Sequence, residues 1–206
     1  MPSQPTSRVD RPGRTGERRK PVRILHLTTF VQGGAGLALV QLATAQRSDG
    51  HGVVVVTSHT APPGYGNYAA HLAALVAGGV PVHTIDSSFS RDAAANRHVA
   101  QFVQQALGGA EAFDLIHTHA GVPTAIALSL TAGVPGARVP VVQTMHGWGL
   151  HKTADHTRTD LNAMRRADRV VVPSEHSKHL LTSMGMPERM VSVISYGVEP
   201  MTSAPS

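Results

Sequence analysis

The stretch VRILHLTTFVQGGAGLALVQLA (Val22–Ala43) decides the fold. Val22–Thr29 is rich in β-branched and apolar residues, as a buried strand requires. Ala35–Arg47 reads as an amphipathic helix with Leu37, Val40 and the Leu42–Ala45 region on its apolar face. Gly33, Gly34 and Gly36 stand at the handover. In α/β proteins such a junction often holds a phosphate, because the first helical N–H groups have no partner within the helix and the dipole favours an anion. The plainer reading of the same glycines is a tight turn with close helix packing.

Outward from this unit, strand and helix patterns alternate. Strands are predicted at Gly52–Ser58, Gly79–Ile85, Phe113–His119, Val139–Gly147, Asp168–Ser174 and Met190–Tyr196. Helices are predicted at Tyr68–Val76, Arg91–Leu107, Pro123–Thr131, Asp155–Arg166 and Glu175–Met184. The alternation implies an α/β fold, a Rossmann-like open parallel sheet of six or seven strands with helices on both faces. Ligands of such sheets bind beyond the carboxyl ends of the strands. The residues at those ends are Gly33–Gly36, Ser58–His59, Asp86–Ser88, His117–His119, His146–His151 and Ser174–Glu175, a polar and histidine-rich edge.

Composition narrows the function classes. The 206 residues contain no cysteine, which removes disulfides and thiolate metal sites and suits a reducing, cytoplasmic setting. No apolar run is long enough to span a bilayer, and the N-terminus has no apolar segment of a signal peptide, leaving at most peripheral membrane contact. The net charge is +5, but six of the 18 basic residues and two of the 13 acidic ones lie in residues 1–20. That segment reads as a disordered basic tail and the remainder is close to neutral, with no basic stripe or stacking aromatics for nucleic acid. The ordered domain is expected over 21–200, with 201–206 a disordered end.

Rival motifs fail on particular residues. A dinucleotide fingerprint needs a third glycine where Leu39 stands and a carboxylate after the second strand, where the chain reads Thr57-Ser58-His59. Gly-Lys-Ser/Thr, required by a P-loop, never occurs. The pairs and triplets His117/His119 and His146/His151/His156 have no zinc-ligand spacing, so no metal site is expected. Ser174-Glu175-His176 resembles a hydrolase constellation in composition alone; at a helix start Ser174 is an N-cap and Glu175 a first-turn carboxylate.

Four segments, GGAGLALVQLA (Gly33–Ala43), FDLIHTHAG (Phe113–Gly121), VPVVQTMHG (Val139–Gly147) and ADRVVVPSEHSKHLLTSMGMPERMVSVISYGVEP (Ala167–Pro200), resemble in order the landmarks of the N-terminal domain of GT-B glycosyltransferases of the family-4-like group. The resemblance runs from Val22 to Pro200. It implies one half of a GT-B fold: the acceptor-side domain of a retaining glycosyltransferase that takes sugar from a nucleotide-diphosphate sugar, with no metal cofactor. Gly33 and Gly34 match the loop facing the donor diphosphate, and His146 matches the histidine that contacts the donor sugar. His119, Trp148 and Tyr65, on loops at the same edge, are candidates for the acceptor or sugar pocket, with plain packing an equal reading of Trp148. SYGVEP (Ser195–Pro200) takes the place of the usual bridge to a second domain, and a full enzyme of this kind is about twice as long. The second half carries two glutamates eight positions apart, a spacing no glutamates here show. The 206-residue chain is therefore expected to need a separate C-terminal donor-binding domain for activity. A non-catalytic acceptor- or partner-binding subunit and a nucleotide-binding oxidoreductase remain alternatives.

Overall fold

The computed structural model describes residues 20–59, 64–85, 94, 96–132, 138–149 and 152–197. The expected disorder of 1–20 and 201–206 lies outside these residues apart from Lys20, as do Asp86–Ser88, Arg91, His151 and the Val198–Pro200 part of the expected bridge. Seven strands form one parallel sheet in the order β3-β2-β1-β4-β5-β6-β7. They are β1 (Arg23–Leu27), β2 (Gly52–Ser58), β3 (Val82–Ile85), β4 (Leu115–Thr118), β5 (Val141–Thr144), β6 (Arg169–Val172) and β7 (Val191–Val193). The helices between them are α1 (Gly33–Ser48), α2 (Ala69–Ala77), α3 (Arg97–Ala106), α4 (Gly121–Ala132), α5 (Ala154–Arg166) and α6 (Glu175–Ser183). This is the Rossmann-like α/β architecture that the sequence predicts. No helix among the described residues is long and apolar enough to cross a membrane.

Side chains alternate across the sheet because successive Cβ atoms of a strand point to opposite faces. On one face Val53 and Val55 pack with Leu39, Val40 and Ala43 of α1 and Leu75 of α2. On the other, Leu25, Leu27, Val56 and Ile116 pack with Val99 and Val103 of α3 and Ile126 and Ala127 of α4. A third cluster joins β6 to α5 and α6 through Val170, Val172, Leu161, Met164 and Leu181. Truncating a fully buried member such as Leu25 removes packing worth about 2–5 kcal/mol.

Helix α1 departs from the sequence reading in start and phase. It begins at Gly33, so the glycines form its first turn instead of preceding it. Its buried positions are Gly36, Leu39, Val40 and Ala43, whereas Leu37 and Leu42 are exposed. The cause is local: a Cβ on Gly36 would lie 2.7 Å from the carbonyl carbon of Val31, so this helix face lies against the incoming backbone. Gly36 is thus a packing glycine. A Cβ on Gly33, at φ +56°, or on Gly34 would meet nothing within 4 Å, so their side of the turn is open.

The chain runs outward from β1 through β2 to β3, then returns to lay β4 on the other side of β1. A crevice opens where the strand order reverses. It lies beyond the carboxyl ends of β1, β4 and β5.

Candidate functional site: a cleft at the strand reversal

The crevice is a cleft of about 940 Å³. Three loops build it: Thr28–Gly34 after β1, His119–Val122 after β4 and Thr144–Gly147 after β5, with Tyr65 on one side and Lys152, His156 and Asp160 on the other. The structure brings together Gly33, Gly34, His119, His146 and Tyr65. Trp148 is absent from the lining: it packs beside the β6–α5–α6 cluster, with Lys152 Nζ 3.7 Å from its ring centroid, so the packing reading holds for it.

The glycine end of α1 offers bare backbone. Gln32, the N-cap, is extended and makes no side-chain cap, and no acidic residue stands in the first turn. Its side chain turns away to accept from the Gly66 N–H (2.7 Å). Asn67 fixes the same loop: its Oδ1 accepts from Val31 N–H (2.7 Å) and Thr57 Oγ1 (3.0 Å), and its Nδ2 donates to the Ser58 carbonyl (2.7 Å). These bonds hold Tyr65 beside Phe30, ring centroids 6.5 Å apart, as an aromatic rim on the cleft.

The opposite wall is different. Asp160 of α5 is buried against the first residue of α4, so close that a Cβ on Gly121 would sit 2.3 Å from its Oδ1. Lys152 Nζ donates to Asp160 Oδ2 at 2.5 Å. An anion and its counter-cation already fill this helix end.

Between the two walls runs a line of imidazoles. His26 and His117 are register partners on β1 and β4 and so lie on one face of the sheet. His26 contacts Gln46 Oε1 of α1 through Nε2 (2.8 Å) and His119 Nε2 through Nδ1 (2.9 Å). His119 Nδ1 meets His146 Nε2 (3.0 Å), and His146 Nδ1 meets the Tyr196 hydroxyl (2.5 Å). His117 Nε2 pairs with Thr144 Oγ1 (2.7 Å). Burial pushes His26 and His146 down to about 4. His117 and His119 fall well below the usual histidine range, through burial first and the neighbouring imidazoles second. All four rings are therefore neutral near pH 7.

Nitrogens of His26, His117 and His119 lie within 4.8 Å of one another, close enough to raise the question of a metal ion. The rings answer it. His117 and His119 stack with centroids 4.6 Å apart and planes 21° apart, and His26 and His119 at 5.2 Å and 27°. His117 Nε2 is held by Thr144 Oγ1 (2.7 Å), whereas a tetrahedral zinc needs free lone pairs that converge on it at about 2.0–2.1 Å. Two of the nitrogens are also engaged with each other. As placed, the three rings form a hydrogen-bonded stack.

Several of these residues escape a reading by sequence. Gln46, Asn67, Lys152 and Asp160 carry no motif, and Tyr196 lies in the SYGVEP stretch with no signal of its own, because their roles depend on contacts across the fold. His26 lies inside the quoted stretch, and its polar side chain within a buried strand was the available signal. Ser174 caps α6 as predicted, accepting from the Ser177 N–H (3.2 Å).

Comparison with known proteins gives a consistent picture. Anabaena HepE, solved in complex with UDP and glucose, superposes with a TM-score of 0.67 at 22% identity over 86% of this chain and 45% of its own. Sucrose-phosphate synthase from Thermosynechococcus elongatus superposes with a TM-score of 0.62 at 15% identity, over 85% of this chain and 48% of its own. The lipopolysaccharide outer core galactosyltransferase WaaB gives 0.62 at 14% identity, over 89% and 50%. These likenesses establish the fold, one half of the GT-B architecture; the chain spans about half the length of the structures it matches. No curated protein sequence matches it significantly. The profile of Glycosyltransferase Family 4 matches residues 32–201, and the chain belongs to that family.

Proposed function

We propose that these residues form the acceptor-side half of a retaining glycosyltransferase that moves a sugar from a nucleotide-diphosphate sugar to an acceptor hydroxyl. One observation carries the reading: the first turn of α1 reaches the cleft uncapped, with Gly33 and Gly34 open on the side where a diphosphate would lie. Their backbone N–H groups would meet negative charge as it develops on the departing diphosphate, without a metal ion. The family membership supports this reading, and so does the likeness to HepE, which was solved with UDP-glucose. His146 would hold a sugar hydroxyl, and His119 stands behind it as its buried partner. Phe30 and Tyr65 would flank the acceptor.

Glycosyl transfer needs donor and acceptor aligned and water kept out, which a cleft between two domains provides. The donor platform and its paired glutamates belong to a second half. A radiolabelled-donor assay tests the division of labour. The 206-residue chain should stay near background and gain activity when a C-terminal donor-binding half is fused after Pro200 or added separately. His146→Ala should then reduce that activity. Robust turnover by the 206 residues alone would overturn the assignment of the halves.

A further inference from the structure

Both ring nitrogens of His146 are taken, one by His119 and one by Tyr196. The direction of these bonds follows from the far end of the line. Gln46 presents its carbonyl oxygen, which only accepts, so His26 Nε2 carries a proton and donates. A neutral imidazole has one N–H, which leaves His26 Nδ1 bare to accept from His119 Nε2. The same step makes His119 Nδ1 the acceptor of His146 Nε2–H. His146 Nδ1 is then bare, and the Tyr196 hydroxyl donates to it. Every ring is neutral, as burial demands, and each carries its proton on the same nitrogen.

Apolar side chains would fill this space with no bonds to satisfy. The imidazoles add direction: turning any one ring would leave buried nitrogens unpaired, which a low-dielectric interior penalises. At the cleft end, Tyr196 is 43% exposed on the segment after β7, and a Cβ on the adjacent Gly197 would meet nothing within 4 Å. The hydroxyl is held at His146, and the ring lies against the His146 ring (centroids 5.7 Å apart) with the rest of its surface exposed.

We propose that Gln46, His26 and His119 are positioning residues that make His146 a hydrogen-bond acceptor at Nδ1, where the Tyr196 hydroxyl holds the place of a ligand hydroxyl. That the ligand is a sugar rests on the glycosyl-transfer reading. The direction of the line does not, and it is measured without donor or acceptor.

The test is long-range proton–nitrogen correlation on the 206-residue chain with ring-labelled histidine at pH 7.5. His26, His119 and His146 should each show one neutral form, protonated at Nε2. Gln46→Leu removes the terminal acceptor, and His146, three hydrogen bonds away, should then exchange between tautomers. Gln46→Glu, which only accepts, should restore the Nε2–H form. Tyr196→Phe should move the His146 Nδ1 signal to that of an unbonded nitrogen while His26 and His119 stay as they were. Backbone amide spectra matching the wild type establish that each variant is folded. Protonation of wild-type His146 at Nδ1, or a His146 tautomer indifferent to Gln46→Leu, would overturn the positioning role. A His146 Nδ1 signal unmoved in Tyr196→Phe, a variant at an exposed site, would overturn the role of Tyr196.

Discussion

Two helices begin at the same cleft and end their backbones in opposite ways. The first turn of α1 is glycine, uncapped and open. The first turn of α4 is closed by the Asp160 carboxylate, itself paired with Lys152. Both termini carry a partial positive charge and first-turn N–H groups with no partner within the helix, three on α1 and two on α4, where Pro123 has none. Among the described residues, the protein supplies an anion of its own at α4, whereas α1 has neither a side-chain cap nor an acidic residue in its first turn. A helix end satisfied from within contributes to stability; a helix end left open is available to a ligand. The contrast separates two glycines that look alike in sequence, Gly121 closed in by a carboxylate and Gly34 left open.

Acid should produce the largest effect, and on the α1 side, beneath which the histidine line runs. Each buried ring has a folded pKa below its unfolded value near 6.5, about 4 for His26 and His146. Between those values the unfolded chain binds more protons, so stability is full above pH 6.5 and falls as pH drops toward 4. The slope is up to about 1.4 kcal/mol per pH unit for each histidine. Urea midpoints measured from pH 7.5 to 5 should fall steeply; a flat profile would mean that the rings are not held neutral.

Asp160→Ala comes next. It leaves the Lys152 ammonium without its partner in a partly buried site and bares the α4 terminus, at a cost on the order of 3 kcal/mol by denaturant titration. Gly121→Ala should cost about 1–3 kcal/mol, because the new methyl meets the Asp160 carboxylate. Gly34→Val should be the mildest for the fold, within about 1 kcal/mol, since nothing stands near its Cβ. The same substitution should nonetheless impair transfer in the reconstituted enzyme by blocking approach of the diphosphate. Equal losses of stability at Gly34 and Gly121 would erase the contrast.

The sheet was legible because each strand is a short apolar run bounded by turn residues, and among the described residues every strand and α-helix overlaps the segment the pattern predicts, with α1 beginning two residues early. Helix phase was less so. Leu37 and Leu42 are apolar yet exposed, and the buried stripe follows Gly36, whose lack of a side chain lets the helix approach Val31. At the site, Gly33, Gly34, His119 and His146 could be chosen because they stand at strand ends. Asp160 could not: it sits mid-helix in α5, and only the fold brings it to α4. Gln46 and Tyr196 are far apart in the chain and are connected through three histidines, which no local spacing reveals. Trp148 shows the converse, a residue placed at the right edge whose ring packs beneath Lys152.

The central claim is that the open helix end, and not the occupied one, receives the diphosphate. Titration of UDP into the nitrogen-labelled 206-residue chain, followed by backbone amide spectra, reads both ends at once. The amides of Gly33, Gly34 and Ala35 should shift in a saturable manner while those of Gly121 and Val122 stay in place, and Gly34→Val should abolish the shifts. Saturable movement at Gly121 with none at Gly33 and Gly34 would contradict the account.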